Sequence, residues 1–121
     1  MSGKKKLEKR SPILRLGILD RINIPQILPG KGARLTLQVA EDIRKKIRIT
    51  IEEQKRIKYR EELVPGTSDF RIEWDKRKEV EIEVRLTPLE ADLLKKTVNF
   101  LDQQEQILKD WMPTCDKIVE L

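Results

Sequence analysis

The chain has 121 residues with a net charge of +5, 39% charged residues, one cysteine and no histidine. That length supports one modest core. Without histidine there is no Ser-His-Asp or Cys-His nucleophile and, with Cys115 as the sole thiol, no zinc site of the usual ligands and no internal disulfide.

The charge is lopsided. Residues 1–34 carry nine Lys/Arg against two acidic residues, while residues 35–121 carry 17 against 19. The basic character therefore belongs to the N-terminal stretch, a pattern that suggests an acidic partner or nucleic acid. Residues 1–10 (MSGKKKLEKR) read as a disordered basic tail. Residues 11–33 are apolar but interrupted by Pro12, Pro25 and Pro29 and by Gly17, Gly30 and Gly32, which argues against a long helix. Ile13, Leu14, Leu16, Ile18, Leu19, Ile22, Ile24, Ile27 and Leu28 are too apolar for a free linker. They are expected to form an extended arm laid on a neighbouring subunit, with packing on the chain's own core as the alternative. The run is too short and too broken by charge for a signal peptide, and no stretch approaches a membrane span.

From residue 34 to 63 there is no glycine or proline, and Leu35, Val39, Ile43, Ile47 and Ile51 recur every four residues. The spacing predicts one long amphipathic helix. Residues 47–51 also alternate β-branched and polar side chains, so a strand there is the competing reading. A turn at Pro65-Gly66 leads to Phe70, Ile72 and Trp74, which alternate with Arg71 and Glu73. Val80, Ile82, Val84 and Leu86 alternate with Glu79, Glu81, Glu83 and Arg85. These read as two strands of one antiparallel hairpin, with Trp74 opposite Val80, Ile72 opposite Ile82 and Phe70 opposite Val84. Thr87-Pro88-Leu89-Glu90 is a capping box with proline at the first helical position. It opens a second long helix bearing Leu94, Val98, Leu101 and Leu108, expected to stop near Pro113. Thr114 is expected to cap a last short turn.

The expected fold is thus α+β. A long helix, an antiparallel β-hairpin and a second long helix form a body over residues 34–121, preceded by an arm over residues 1–33. The unpaired hairpin edges could pair with another chain and make an oligomer.

Chemistry is sparse. The acidic row Glu79, Glu81 and Glu83 could meet a cation, but reads as a solvated strand face balanced by Arg71 and Arg85. Pro29-Gly30-Lys31-Gly32 lacks the spacing of a phosphate loop. The chain is expected to be no enzyme and to need no cofactor, metal or small-molecule substrate. Lys4, Lys5, Lys6, Lys9 and Arg10 in the tail, with Lys76, Arg77 and Lys78 at the hairpin tip, could meet phosphates. Few aromatics remain for base stacking, so such binding would be weakly specific. The favoured function is a structural, assembly or adaptor role through protein–protein contacts, with nucleic-acid binding as the alternative. The single thiol suits a reducing cytoplasm.

ARLTLQVAEDIRKKI, the hairpin, and LTPLEADLLKKTVNFLDQQEQI together resemble small uncharacterised helix–hairpin–helix proteins of tailed-phage and prophage gene clusters. The resemblance covers about two thirds of the chain. It implies a virion or assembly component, or an accessory factor, and carries over no site residue.

Overall fold

A computed structural model describes residues 11–121, so Lys4, Lys5, Lys6, Lys9 and Arg10 lie outside the described residues. Over the described residues the protein is α+β, with five α-helices and two small antiparallel sheets. It divides into two compact units. One holds the described residues up to Arg48 together with Glu81–Leu121, and the other holds Ile49–Val80.

The first unit begins with strand β1 (Ile13–Leu16) and helix α1 (Ile18–Ile27). This is where the expected arm fails. Leu14, Leu16, Ile18, Ile24, Ile27 and Leu28 are buried, Ile22 is half-buried, and only Ile13 and Leu19 remain exposed. The apolar contact sought on a neighbouring subunit is met by the chain's own core, and no boundary falls at residue 33. Pro25 sits inside α1. An interior proline costs about 3 kcal/mol. Burying Ile18, Ile24 and Ile27 offsets that, at roughly 1.5–3 kcal/mol per large apolar side chain.

Helix α2 (Arg34–Ile47) buries Ala40, Ile43 and Ile47 on one face. The single helix expected over residues 34–63 breaks here. Arg48 turns extended, with φ −55° and ψ 135°. Thr50 then opens a new helix, α3 (Ile51–Ile57), as its N-cap. Residues 47–51 are therefore neither a continuous helix nor a strand.

The second unit consists of α3, strands β2 (Arg60–Leu63) and β3 (Phe70–Glu73), and a 3-10 turn at Lys76–Lys78. Lys58 ends α3 in the left-handed region at φ 55°. The Tyr59 amide reaches the Gln54 carbonyl at 2.9 Å, the six-to-one bond of a Schellman close. Residues 60–63, expected to be helical, are strand.

The hairpin is also rearranged. β3 pairs with β2, placing Leu63 opposite Phe70, Glu61 opposite Ile72, Glu62 opposite Arg71 and Arg60 opposite Glu73. Strand β4 (Ile82–Arg85) pairs instead with β1, Leu14 opposite Val84 and Leu16 opposite Ile82. Cross-strand chemistry accounts for the exchange. Leu14 and Leu16 give β4 an apolar partner face that is buried, and Arg60 and Arg71 give β3 an ionic ladder with Glu62 and Glu73.

Helix α4 (Pro88–Gln103) starts as the capping box predicts, with Thr87 accepting from the Glu90 amide and Glu90 from the Thr87 amide. It ends earlier than Pro113, in a second Schellman close. Glu105 stands at φ 57°, and the Gln106 amide reaches the Leu101 carbonyl. A 3-10 turn at Lys109–Trp111 leads to helix α5 (Met112–Val119), which carries Pro113 in its first turn instead of being stopped by it. The first unit's core joins Leu14 and Leu16 of β1, Ile24 and Ile27 of α1, Ile43 and Ile47 of α2, Leu94 and Val98 of α4, and Cys115 and Ile118 of α5. Among the described residues no helix is long and apolar enough to cross a membrane.

Candidate protein-contact surfaces

Polar groups inside the first unit lock its helices. Asp20, buried on α1, accepts from the Gly17 amide at 2.9 Å, from Thr114 Oγ1 at 2.6 Å and from Lys117 Nζ at 2.7 Å. Burial alone would raise its pKa. The hydrogen bonds from Lys117, Thr114 and Gly17 outweigh burial and hold the carboxyl below its usual range. Asn23 donates to the Asp110 carbonyl and to Thr114 Oγ1, both at 3.1 Å. Thr114, expected to cap a last short turn, instead lies inside α5 as a buried linker. Arg21 Nε donates to the Ile47 carbonyl at 2.9 Å, and its Nη2 to the Arg48 carbonyl at 2.6 Å. It thereby satisfies orphan carbonyls at the end of α2. Lys46 on α2 reaches Glu90 at 2.6 Å and the Arg85 carbonyl at 3.0 Å. Every one of these groups is engaged within the fold, so they build the scaffold.

The thiol of Cys115 is buried, and burial, reinforced by Asp116 and Asp102, pushes its pKa up. That is the opposite of what a nucleophilic cysteine needs. Two members of the acidic row have partners of their own. Glu79 accepts from Trp74 Nε1 at 2.8 Å, while Glu81 pairs with Arg15 at 3.8 Å and Lys117 at 3.5 Å. Among the described residues no group of three or more metal-ligating side chains could hold an ion.

What remains on the surface is apolar contact area and a strand edge. In the second unit, the β2–β3 face opposite the ionic ladder presents the cross-strand pair Leu63 and Phe70, 56% and 66% exposed. In the first unit, Leu35 of α2 and Leu89 of α4 are exposed beside a groove completed by Val39 and Leu93. Lys76, Arg77 and Lys78 are exposed on their 3-10 turn, with Lys76 Nζ 5.8 Å from the Trp74 ring centre.

The edge belongs to β1. The Leu86 amide donates to the Pro12 carbonyl at 2.9 Å. In an antiparallel ladder this turns the backbone groups of Pro12, Leu14 and Leu16 toward β4, and those of Ile13 and Arg15 away from it. A groove of about 540 Å³ runs beside this edge, lined by Pro12, by Ile13, Leu14 and Arg15 of the strand, by Glu81, and by Lys117, Glu120 and Leu121 beyond it. Arg15, Lys117 and Glu120 were not singled out by sequence reasoning, and Glu81 was named only as a member of the acidic row. Their only signal was the idea of a free strand edge, and that was placed on the wrong pair of strands. Comparison of the chain with protein-family models, with curated proteins and with solved structures gives no match.

Proposed function

We propose that this is a non-catalytic structural, assembly or adaptor protein that works through contacts with other protein chains, in keeping with the resemblance to phage-encoded assembly components. The observation that carries this reading is the Leu63–Phe70 pair. A two-stranded ribbon that exposes both of these side chains, with a self-paired ionic ladder on its other face, has apolar area to offer a partner.

Crosslinking mass spectrometry on the full chain, isolated gently from cells that express it naturally, tests the reading. Crosslinks from residues 60–73 to another protein chain, lost in Phe70→Asp while the melting temperature holds within a few degrees, are the expected result. A single uncomplexed species, identical in wild type and variant, would count against it. The alternative, weakly specific nucleic-acid binding, draws support from the exposed Lys76, Arg77 and Lys78.

A further inference from the structure

We infer that the free edge of β1 pairs with β1 of a second copy, joining two two-stranded sheets into one sheet of four strands. The inference rests on the protein-contact reading and names one of its contacts. Four backbone groups, the amides and carbonyls of Ile13 and Arg15, point away from β4, and none has a hydrogen-bond partner among the described residues. Unpaired strand edges of this kind template further pairing. The opposite edge is less open, because Lys46 Nζ already occupies the Arg85 carbonyl at 3.0 Å.

The groove beside β1 favours a copy of this chain over a charged peptide or nucleic acid. Its charged lining is two cations, Arg15 and Lys117, and two anions, Glu81 and Glu120. Such a rim, in which Glu81 already pairs with Arg15 and Lys117, has no net sign to select a polyanion or a polycation, and it sets no net charge against a second copy of itself. Antiparallel pairing centred on Leu14 makes the outward residues bond in full. Ile13 of one copy exchanges both backbone bonds with Arg15 of the other, and Arg15 with Ile13 of the other. Four hydrogen bonds form, and no like charges stand directly opposite each other. The pairing is isologous, so it closes at a dimer and does not propagate.

Sedimentation of the purified full chain over a concentration series tests this. The expected result is a monomer–dimer equilibrium. Arg15→Pro, which removes an outward amide without touching the β1–β4 ladder, should weaken the dimer at least about tenfold, as loss of two backbone hydrogen bonds implies. Glu83→Pro, which removes an outward amide on the β4 edge, should leave the dimer unchanged. A measurement on the unmodified chain covers the case in which a proline variant misfolds. Amide exchange at Ile13 and Arg15 should slow with rising protein concentration, while the amides of Leu14 and Leu16 are protected throughout. A chain that stays monomeric, a dimer indifferent to Arg15→Pro in a folded variant, or exchange at Ile13 and Arg15 that ignores concentration would overturn the inference. A monomer alone would leave the crosslinking test of the protein-contact reading intact, so the two failures are distinguishable.

Discussion

Thr114 Oγ1 donates to Asp20 Oδ1 at 2.6 Å, tying α5 to α1 through a bond between residues 94 apart in the chain. Asp20 completes its shell with the Gly17 amide and Lys117, and Thr114 in turn accepts from Asn23. The segment that reads as an arm for a neighbouring subunit is held here by a buried network with every partner supplied. Among the described residues no buried side-chain polar atom lacks a partner.

Removing the carboxylate should therefore be costly and pH-dependent. Asp20→Ala leaves the Thr114 hydroxyl and the Gly17 amide without their acceptor, and a destabilisation of about 3 kcal/mol is expected by chemical denaturation. The folded pKa of Asp20 lies below its ordinary 3.8. Its contribution is accordingly full above that value and is lost as pH falls through the lower folded value. Lys117 moves the other way. Although burial alone would lower its pKa, the Asp20 and Glu81 partners raise it above 10.5, so its share is lost only as pH rises past that range. Between these limits the stability difference between wild type and Asp20→Asn should be flat with pH, and below pH about 3.8 it should shrink. A difference that grows toward acid would show that the pair has been assigned the wrong sign.

Arg21 makes a second, independent case. Its guanidinium satisfies the carbonyls of Ile47 and Arg48 at the point where α2 ends. Arg21→Met keeps much of the apolar bulk but leaves those carbonyls without this donor. A loss of roughly 1.5–3 kcal/mol is expected, the range for hydrogen bonds to a charged group. Arg21→Lys should recover only part of it, because an ammonium cannot reproduce the fork. Melting curves of the three proteins check the order.

Arg21 also shows where sequence reading stops. In the pattern of residues 13–28 it looks like a charge that breaks an apolar run, and only the distant end of α2 reveals its use. Local signals were legible. The Thr87–Glu90 capping box opens α4 as written. Thr50 with Glu53 carries the same signal and makes the same two bonds, yet a four-residue periodicity running through Ile51 masked it. Pairing was the least legible layer. Val84 and Ile82 alternate equally well toward Ile72 or toward Leu14, and which strand wins depends on burial that no local pattern records. The candidate contact edge shared that fate, since it exists only because β1 took the partner expected of β3.

Two helix ends store backbone strain that glycine would relieve. Lys58 and Glu105 both sit in the left-handed region, at φ 55° and 57°, each as the turn residue of a Schellman close. A side chain there costs roughly 1–2 kcal/mol. Glycine gives part of the gain back through a floppier unfolded chain. Glu105→Gly should therefore raise stability by about 0.5–1 kcal/mol, and Lys58→Gly by a similar amount. Measured losses in either variant would mean that the side chain itself contributes more than the strain it imposes.

The basic turn gives the decisive salt experiment. Lys76, Arg77 and Lys78 are exposed, but Asp75 accepts from the Arg77 amide at 3.0 Å and lies 3.4 Å from its guanidinium, so part of the turn's positive charge is already matched. If the turn alone contacted duplex DNA, at most three phosphates would be neutralised. The slope of log affinity against log salt would then not exceed about 2.7 in magnitude. On the protein-contact reading, fluorescence anisotropy of the full chain with duplex or single-stranded probes should show at most weak binding, in the non-specific range of about 10⁻⁴–10⁻⁶ M at physiological salt. Replacing all three cations by glutamine should leave its crosslinks to other protein chains unchanged. Tight binding with a steeper slope, abolished by the triple substitution or by loss of residues 1–10, would instead make nucleic acid the partner and displace the assembly role.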